Sequence, residues 1–219
     1  MSTLHAREPS AREPHDPAGE RRIRILDAAE RCFVRSGFHR TTMQDVAAEA
    51  AMSPGNLYRY FPSKDAIVAG LAERDRGMVQ EGFGALPSGP DLLSAFFGLA
   101  RQHLVDEPVE KAVLCVEMWA EATRNPAMSA ICRDFEQEMR QRITGILRKA
   151  GTEEHGADAE ALTVLIMVLA DGMLARRALL PDFDPGPILD VMLRLVEAAR
   201  AGRFDPTRGD PPAPSQDHP

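Results

Sequence analysis

The chain is poor in cysteine and in aromatic residues. It has 219 residues, of which 5% are aromatic, with one tryptophan, two tyrosines and three cysteines. The cysteines are Cys32, Cys115 and Cys132, an odd set without CxxC spacing, so neither a disulfide framework nor a zinc site is predicted. We expect reduced, structural thiols in an intracellular protein that holds no metal and no cofactor.

Long apolar runs are also missing. The longest one, Ala161 to Ala170, ends at Asp171, which is about half of the ~20 residues that a bilayer requires. The first twenty residues are charged and contain proline, with no apolar segment typical of a signal peptide. We therefore expect a cytoplasmic protein that does not bind a membrane.

Acidic residues outnumber basic residues in the whole chain, but not in its N-terminal part. The net charge is −7, yet residues 19–65 carry eight basic and six acidic side chains, a local charge of +2. Residues 66–219 carry 16 basic and 24 acidic side chains. A mildly basic N-terminal part therefore precedes an acidic remainder, and this asymmetry says more about partners than the total does.

No segment alternates apolar and polar residues in the way that is typical of a strand, and no internal repeat is present. The apolar periodicity instead predicts an all-α fold of about nine helices. The predicted ranges are about 20–36, 42–50, 54–60, 64–80, 91–105, 109–124, 126–150, 158–180 and 187–201.

Composition divides the chain into four parts. Residues 1–18 and 203–219 are rich in proline and charge and are predicted to be disordered tails. Residues 19–66 form a predicted helix-turn-helix domain, here called the head, and residues 67–202 form a predicted ligand-binding and dimerisation domain, here called the body. The stretch EGFGALPSGPD, residues 81–91, interrupts the helical pattern.

The head contains the outline of a helix-turn-helix. Two predicted helices are joined by a short turn at residues 50–52, and the second begins Ser53-Pro54-Gly55, a strong helix start. Both tyrosines of the chain, Tyr58 and Tyr60, lie in this second helix. Leu57 and Phe61 are four residues apart and are predicted to face inward, which leaves the phenols on the outer flank to bind DNA phosphates.

The stretch TTMQDVAAEAAMSPGNLYRYFPSKDAIVAGL resembles the signature of TetR-family transcriptional regulators, and the preceding RILDAAERCFVRSGFHRTT is similar to the family's first helix. The resemblance is dense and covers about residues 20–71. It implies an all-helical homodimer with an N-terminal DNA-binding head and a divergent body that binds effectors and dimerises.

The resemblance also implies a set of DNA-binding residues. Thr42, Tyr58, Tyr60 and Lys64 are expected to bind phosphates. Ser53, Pro54, Gly55 and Asn56 are expected at the tip of the recognition helix, where the Asn56 amide is suited to an adenine edge. The chain departs from the family at Ala51, where glycine is usual, and a positive φ at that alanine has an expected cost of about 1 kcal/mol.

The last two predicted helices are strongly apolar. The segment ALTVLIMVLADGMLARRALL is apolar nearly all round, so we expect it to be buried on more than one side. With ILDVMLRLVEAA it resembles the pair of helices that forms the dimer interface in the family. The alternative is that both helices complete the core of a monomer.

Polar and aromatic residues within the apolar pattern of the body are the clues to an effector site. The predicted lining residues are His103, Cys115, Met118, Trp119, Phe135 and Asp171. Acids beside Trp119 are suited to a cationic or amphipathic ligand. The alternative is that Glu117 and Glu121 face solvent while Trp119 belongs to the core.

Together these features predict a ligand-responsive, DNA-binding transcriptional regulator. We expect a repressor that binds a palindromic double-stranded DNA operator as a homodimer and is released by a small-molecule effector. The alternative is a helical protein-interaction module whose helix-turn-helix is a scaffold that does not bind DNA. No catalytic motif supports an enzyme.

Overall fold

The computed structural model describes residues 17–180, 182–204 and 206. The described residues contain nine α-helices and no strand, which confirms the all-α prediction. The helices are α1 (Pro17–Ser36), α2 (Met43–Glu49), α3 (Pro54–Tyr60), α4 (Lys64–Gly84), α5 (Leu92–Arg101), α6 (Val109–Ala122), α7 (Pro126–Lys149), α8 (Ala159–Leu179) and α9 (Gly186–Arg200). A π-helical turn (Gln102–Asp106) follows α5, and a 3-10 turn (Thr152–His155) follows α7.

Side-chain caps fix the starts of the head helices where the sequence predicts them. Thr42 and Asp45 form a capping box at α2, with the Thr42 N–H 2.8 Å from the Asp45 carboxylate and the Asp45 N–H 3.2 Å from the Thr42 hydroxyl. The Ser53 hydroxyl accepts from the Asn56 N–H at 3.3 Å, and Pro54 occupies the first position of α3. These bonds satisfy N–H groups that a helix start leaves free.

The turn between α2 and α3 is closed by Ala51 in the left-handed region. Ala51 has φ 53° and is the sole non-glycine residue with positive φ in the described ranges. The Ala51 N–H bonds to Ala48 O at 3.0 Å, and the Met52 N–H bonds to Ala47 O at 2.9 Å. This bond pair is the Schellman motif, which normally places glycine at the left-handed position.

Buried apolar residues form two clusters. The first contains residues of the four helices α1, α2, α3 and α4, together with Leu114 of α6 and Met128 of α7. The body therefore supplies part of the core beneath the head. The second joins α5, α7, α8 and α9. Because α4 runs without interruption from Lys64 to Gly84, it passes through the predicted domain boundary at residues 66–67 and links both clusters.

Several predicted boundaries shift. Helix α4 continues to Gly84 rather than ending near residue 80, and at Gly82 it closely approaches Leu99 of α5. A Cβ at Gly82 would lie 2.8 Å from a Leu99 methyl group. Helix α1 begins at Pro17, inside the predicted tail, and Phe204 packs against the second cluster beyond the predicted end of the body. The tail predictions for residues 1–16 and 207–219 lie outside the described residues.

Helix α8 packs against α6, α7 and α9, as expected for a helix buried on more than one side, but one part of its apolar surface is exposed. Leu162, Ile166 and Met173 are buried, while Val168 is 61% exposed and Leu179 is 73% exposed. These exposed apolar side chains therefore lie on the outside of the single chain. None of the helices in the described ranges combines the length and apolar character that crossing a membrane requires.

Candidate DNA-binding site and its link to the body

Helix α3 stands on the surface with one side anchored in the first cluster. Leu57 and Phe61 are buried, as their spacing predicts, and Tyr58 is 48% exposed. Ser53, Pro54 and Gly55 are exposed at the start of the helix. A short helix held by one apolar side therefore offers its tip and its outer side to a partner.

The start of α2 lies on the surface beside this helix. The exposed Thr42 hydroxyl donates to the Asp45 carboxylate at 2.7 Å. This bond, together with the bond from the Thr42 N–H, holds the pKa of Asp45 below its ordinary value. Asp45 therefore remains an anion that orients Thr42 and the first turn of α2.

Tyr60 is paired with a basic residue of α1 that the sequence did not assign to the site. The Arg21 guanidinium lies 3.5 Å from the Tyr60 phenol oxygen, and this hydrogen bond raises the pKa of Arg21. Because the phenol oxygen accepts, its O–H group remains available to a phosphate.

Lys64 lies at the start of α4, and its ammonium group has partners within the chain. Its Nζ donates to Phe38 O at 2.7 Å and to His39 O at 3.3 Å. It also lies 4.4 Å from the centroid of the Phe38 ring. Lys64 therefore fixes the loop between α1 and α2, a role that its position in the sequence does not reveal.

Two carboxylates of α6 hold the same loop from the side of the body. Glu117 accepts from the Phe38 N–H at 3.4 Å, and Glu121 lies 2.7 Å from His39 Nε2. Glu121 is 5% exposed, and Arg124 also contacts it at 3.1 Å. The alternative in which Glu121 faces solvent was therefore wrong, because this carboxylate is buried against the loop of the head.

A second charged cluster joins α1, α4 and α6. Glu30 accepts from Arg74 at 2.6 Å and also pairs with Lys111. Burial alone would raise the pKa of Glu30, but the hydrogen bonds from Lys111 and Arg74 outweigh it and lower the pKa below its ordinary value. The head is thus attached to the body by ion pairs on one side and by the α6 carboxylates on another.

The structure divides the six residues predicted to line an effector site. Burial raises the pKa of the Cys115 thiol to about 11, and the nearby charges of Asp75 and Asp171 add to this effect. Burial and then Glu136 raise the pKa of Asp171. Cys115 lies on α6 and the exposed Asp171 lies on α8, two helices that pack against each other.

The other four residues are distributed along the body. Met118 packs against the first cluster, towards the head, and His103 lies in the π-helical turn, 3.9 Å from Glu107. Trp119 and Phe135 are half-buried on α6 and α7. An open cleft of about 520 Å³ lies elsewhere, between α1 and the start of α6, and none of the six residues lines it. Within the described ranges, no three His, Cys, Asp or Glu side chains gather as metal ligands would.

A helix-turn-helix head on a helical body defines the class of DNA-binding transcription factors. Residues 25–71 match the model of bacterial regulatory proteins of the tetR family, and residues 93–201 match the C-terminal model of BetI-type transcriptional repressors. The chain belongs to the TetR family of transcriptional regulators.

Curated relatives agree over most of the chain. The regulator UidR of Escherichia coli K12 is 27% identical over 157 residues, which cover 70% of this chain and 80% of UidR. The transcriptional repressor Rv1474c of Mycobacterium tuberculosis is 27% identical over 174 residues, covering 78% of this chain and 88% of the relative. The protein is thus a helix-turn-helix transcriptional regulator.

Solved structures share the fold. Salmonella enterica GusR superposes with a TM-score of 0.70 at 23% identity, covering 86% of this chain and 98% of GusR. A transcriptional regulator from Saccharomonospora viridis in complex with choline has a TM-score of 0.64 at 20% identity, covering 82% of this chain and 94% of that one. At these identities the likeness concerns the architecture alone.

Proposed function

We propose that the protein is a repressor that binds a palindromic operator as a homodimer and leaves the DNA when a small-molecule effector binds. The observation that carries this proposal is the exposed tip of α3, held in place by the buried Leu57. The name of the Mycobacterium tuberculosis relative and the BetI-type match of the body both favour repression.

The phosphate contacts come from the residues that surround α3. Thr42, Tyr58, Tyr60 and Lys64 bind the backbone on the two sides of the major groove, while Ser53, Pro54 and Gly55 bring the helix start close to it. Asn56 addresses an adenine edge, since its amide offers both a donor and an acceptor. For Lys64 this role requires that its ammonium group bind a phosphate while it remains near Phe38 O.

The homodimer forms through α8 and α9. Their exposed apolar residues are Val164, Val168, Leu179, Ile188 and Val191. Val164 and Val168 are one turn apart on α8, and Ile188 and Val191 are one turn apart on α9, so each helix offers a continuous apolar strip. Apolar patches of this kind mark protein interfaces, and an isologous dimer places two heads on one duplex.

The effector site lies between α6, α7 and α8. Cys115 and Trp119 share one face of α6, and Cys132 and Phe135 share one face of α7. Helices α6 and α7 pack against each other. Trp119 and Phe135 belong to neither buried cluster of the described residues. With Asp171 nearby, this region suits a cationic ligand with apolar groups, and the Saccharomonospora viridis neighbour holds choline.

Helix α6 connects this site to the head. Trp119 lies between Glu117 and Glu121, the two carboxylates that hold the loop preceding α2. A ligand that shifts α6 therefore changes the position of the head. An effector that favours a distance between the two heads of the dimer that does not match the operator lowers the affinity for DNA.

The test begins with selection of duplexes from a randomised library by the full chain. Affinity for the selected duplex is then measured by fluorescence anisotropy, with choline and tetraalkylammonium ions added while Trp119 emission is followed. We expect a palindromic sequence and a cation that both perturbs the emission and releases the duplex. A chain that binds random and selected duplexes equally would contradict operator binding, and release without any change in emission would place the effector elsewhere.

A further inference from the structure

The outer side of α3 is defined by the residues opposite its anchor. Successive residues of an α-helix are rotated by about 100°, and Leu57 is the fully buried residue of α3. Gly55 and Arg59 each lie two residues from Leu57, on the opposite side of the helix and about 40° from each other. Both are exposed, so they form the centre of the surface that α3 presents.

Arg59 is an exposed arginine of α3. No hydrogen bond or ion pair joins it to any residue that the structure describes, whereas Arg31 and Arg35 both bind Glu49, at 2.9 and 3.1 Å. The guanidinium group of Arg59 therefore keeps all five N–H donors for a partner outside the chain.

Gly55 is not required by the fold. A Cβ at this position would meet no atom within 4 Å, and its φ is not positive. A side chain would therefore fit here without a clash. Its absence leaves the backbone in the first turn of α3 open to close approach by a partner surface.

From these observations we infer that Arg59 donates to O6 and N7 of a guanine in the major groove and so determines one position of each operator half-site. Arginine paired with these two acceptors is the commonest specific protein–DNA contact. The missing side chain at Gly55 lets the helix lie deep enough for Arg59 to reach the base edges. This contact depends on the operator binding proposed above and assigns a base reader in addition to Asn56.

The experiment uses the full chain and the duplex selected from the random library. Arg59→Ala is compared with Arg140→Ala, which removes an exposed arginine from α7 of the body. We expect Arg59→Ala to weaken binding to the selected duplex by about 5- to 150-fold and to leave binding to random duplex nearly unchanged. Selection repeated with Arg59→Ala should lose the preference for guanine at one symmetric position, with the other positions retained.

A modified base gives an independent measurement. Replacing that guanine by 7-deazaguanine removes the N7 acceptor, which should weaken binding by the unaltered chain and have little effect on Arg59→Ala. Equal losses on selected and random duplexes, with a shallower salt dependence, would show a phosphate contact and overturn the inference. An unchanged selection profile for Arg59→Ala would overturn it while operator binding stands. If the unaltered chain selects no sequence, the inference fails together with the proposed function.

Discussion

At the scale of single residues, Ala51 carries backbone strain in the helix-turn-helix. Its φ of 53° closes the turn between α2 and α3, and an L-residue with a Cβ meets its own carbonyl in this conformation. The two hydrogen bonds of the Schellman motif hold it there. The chain therefore tolerates a local cost to set the angle at which α3 is presented.

We expect Ala51→Gly to stabilise the protein by up to about 1 kcal/mol, because glycine adopts positive φ without this clash. The control is Ala48→Gly, an exposed position within α2, which should destabilise by about 0.5–1 kcal/mol. Denaturant unfolding of both variants measures the difference. Destabilisation by Ala51→Gly of the same size as that by Ala48→Gly would show that Ala51 is not strained.

Lys64 makes structural contacts within the chain and is also proposed to bind a DNA phosphate. Measurements of stability and of DNA binding distinguish these two roles. Lys64→Ala should reduce stability, because Phe38 O and His39 O lose their donor, and should also reduce the salt slope of DNA binding by about one. A salt slope unchanged by Lys64→Ala would leave Lys64 only its structural role.

Tyr58→Phe should weaken binding to selected and random duplexes about equally, since phosphates carry no sequence information.

At the scale of elements, α1, α4 and α6 are joined at Glu30. Its lowered folded pKa means that the unfolded chain takes up a proton first as the pH falls. The stability that Glu30 contributes is therefore complete above its unfolded pKa, near the ordinary value of 4.5, and is lost as the pH falls through the lower folded value.

We expect Glu30→Gln to destabilise by about 1–3 kcal/mol at pH 7, because Arg74 and Lys111 lose a charged acceptor. The difference from the unaltered chain should shrink as the pH is lowered from about 5 to 3. Glu73→Gln is the control, because the Glu73 side chain is 78% exposed and its ion pair with Arg22 is long, at 3.8 Å. This substitution should change stability by less than about 0.5 kcal/mol. A pH-independent loss for Glu30→Gln would exclude the ion pairs as its cause.

Elements whose start signals are local were predictable from the sequence, and contacts between distant elements were not. Thr42, Ser53 and Pro54 determine helix starts through their own neighbours, so α2 and α3 begin where predicted. By contrast, Glu117 contacts Phe38 across 79 residues, and nothing in the local pattern indicates this pairing. Arg59 was missed for a different reason: its position opposite Leu57 is readable from spacing, but its lack of partners requires the structure.

At the scale of the whole molecule, the exposed strips of α8 and α9 determine how two heads are joined. We expect Val168→Arg to give monomers, because a charge at a position that is 61% exposed in one chain would be buried without a partner in the dimer. Val109→Arg changes an exposed valine on α6 and should leave the assembly intact. Light scattering of both variants measures the mass, and a dimeric Val168→Arg protein would place the interface elsewhere.

Two heads on one duplex are the central claim, and the most direct measurement is the stoichiometry and affinity of the complex with the selected duplex. Native mass spectrometry should find two chains for each palindrome. Anisotropy should show that a duplex with a single half-site binds at least about 100-fold more weakly, because one of the two sets of base contacts is lost. One chain per duplex, or equal affinity for half and full sites, would contradict binding of an operator by a dimer.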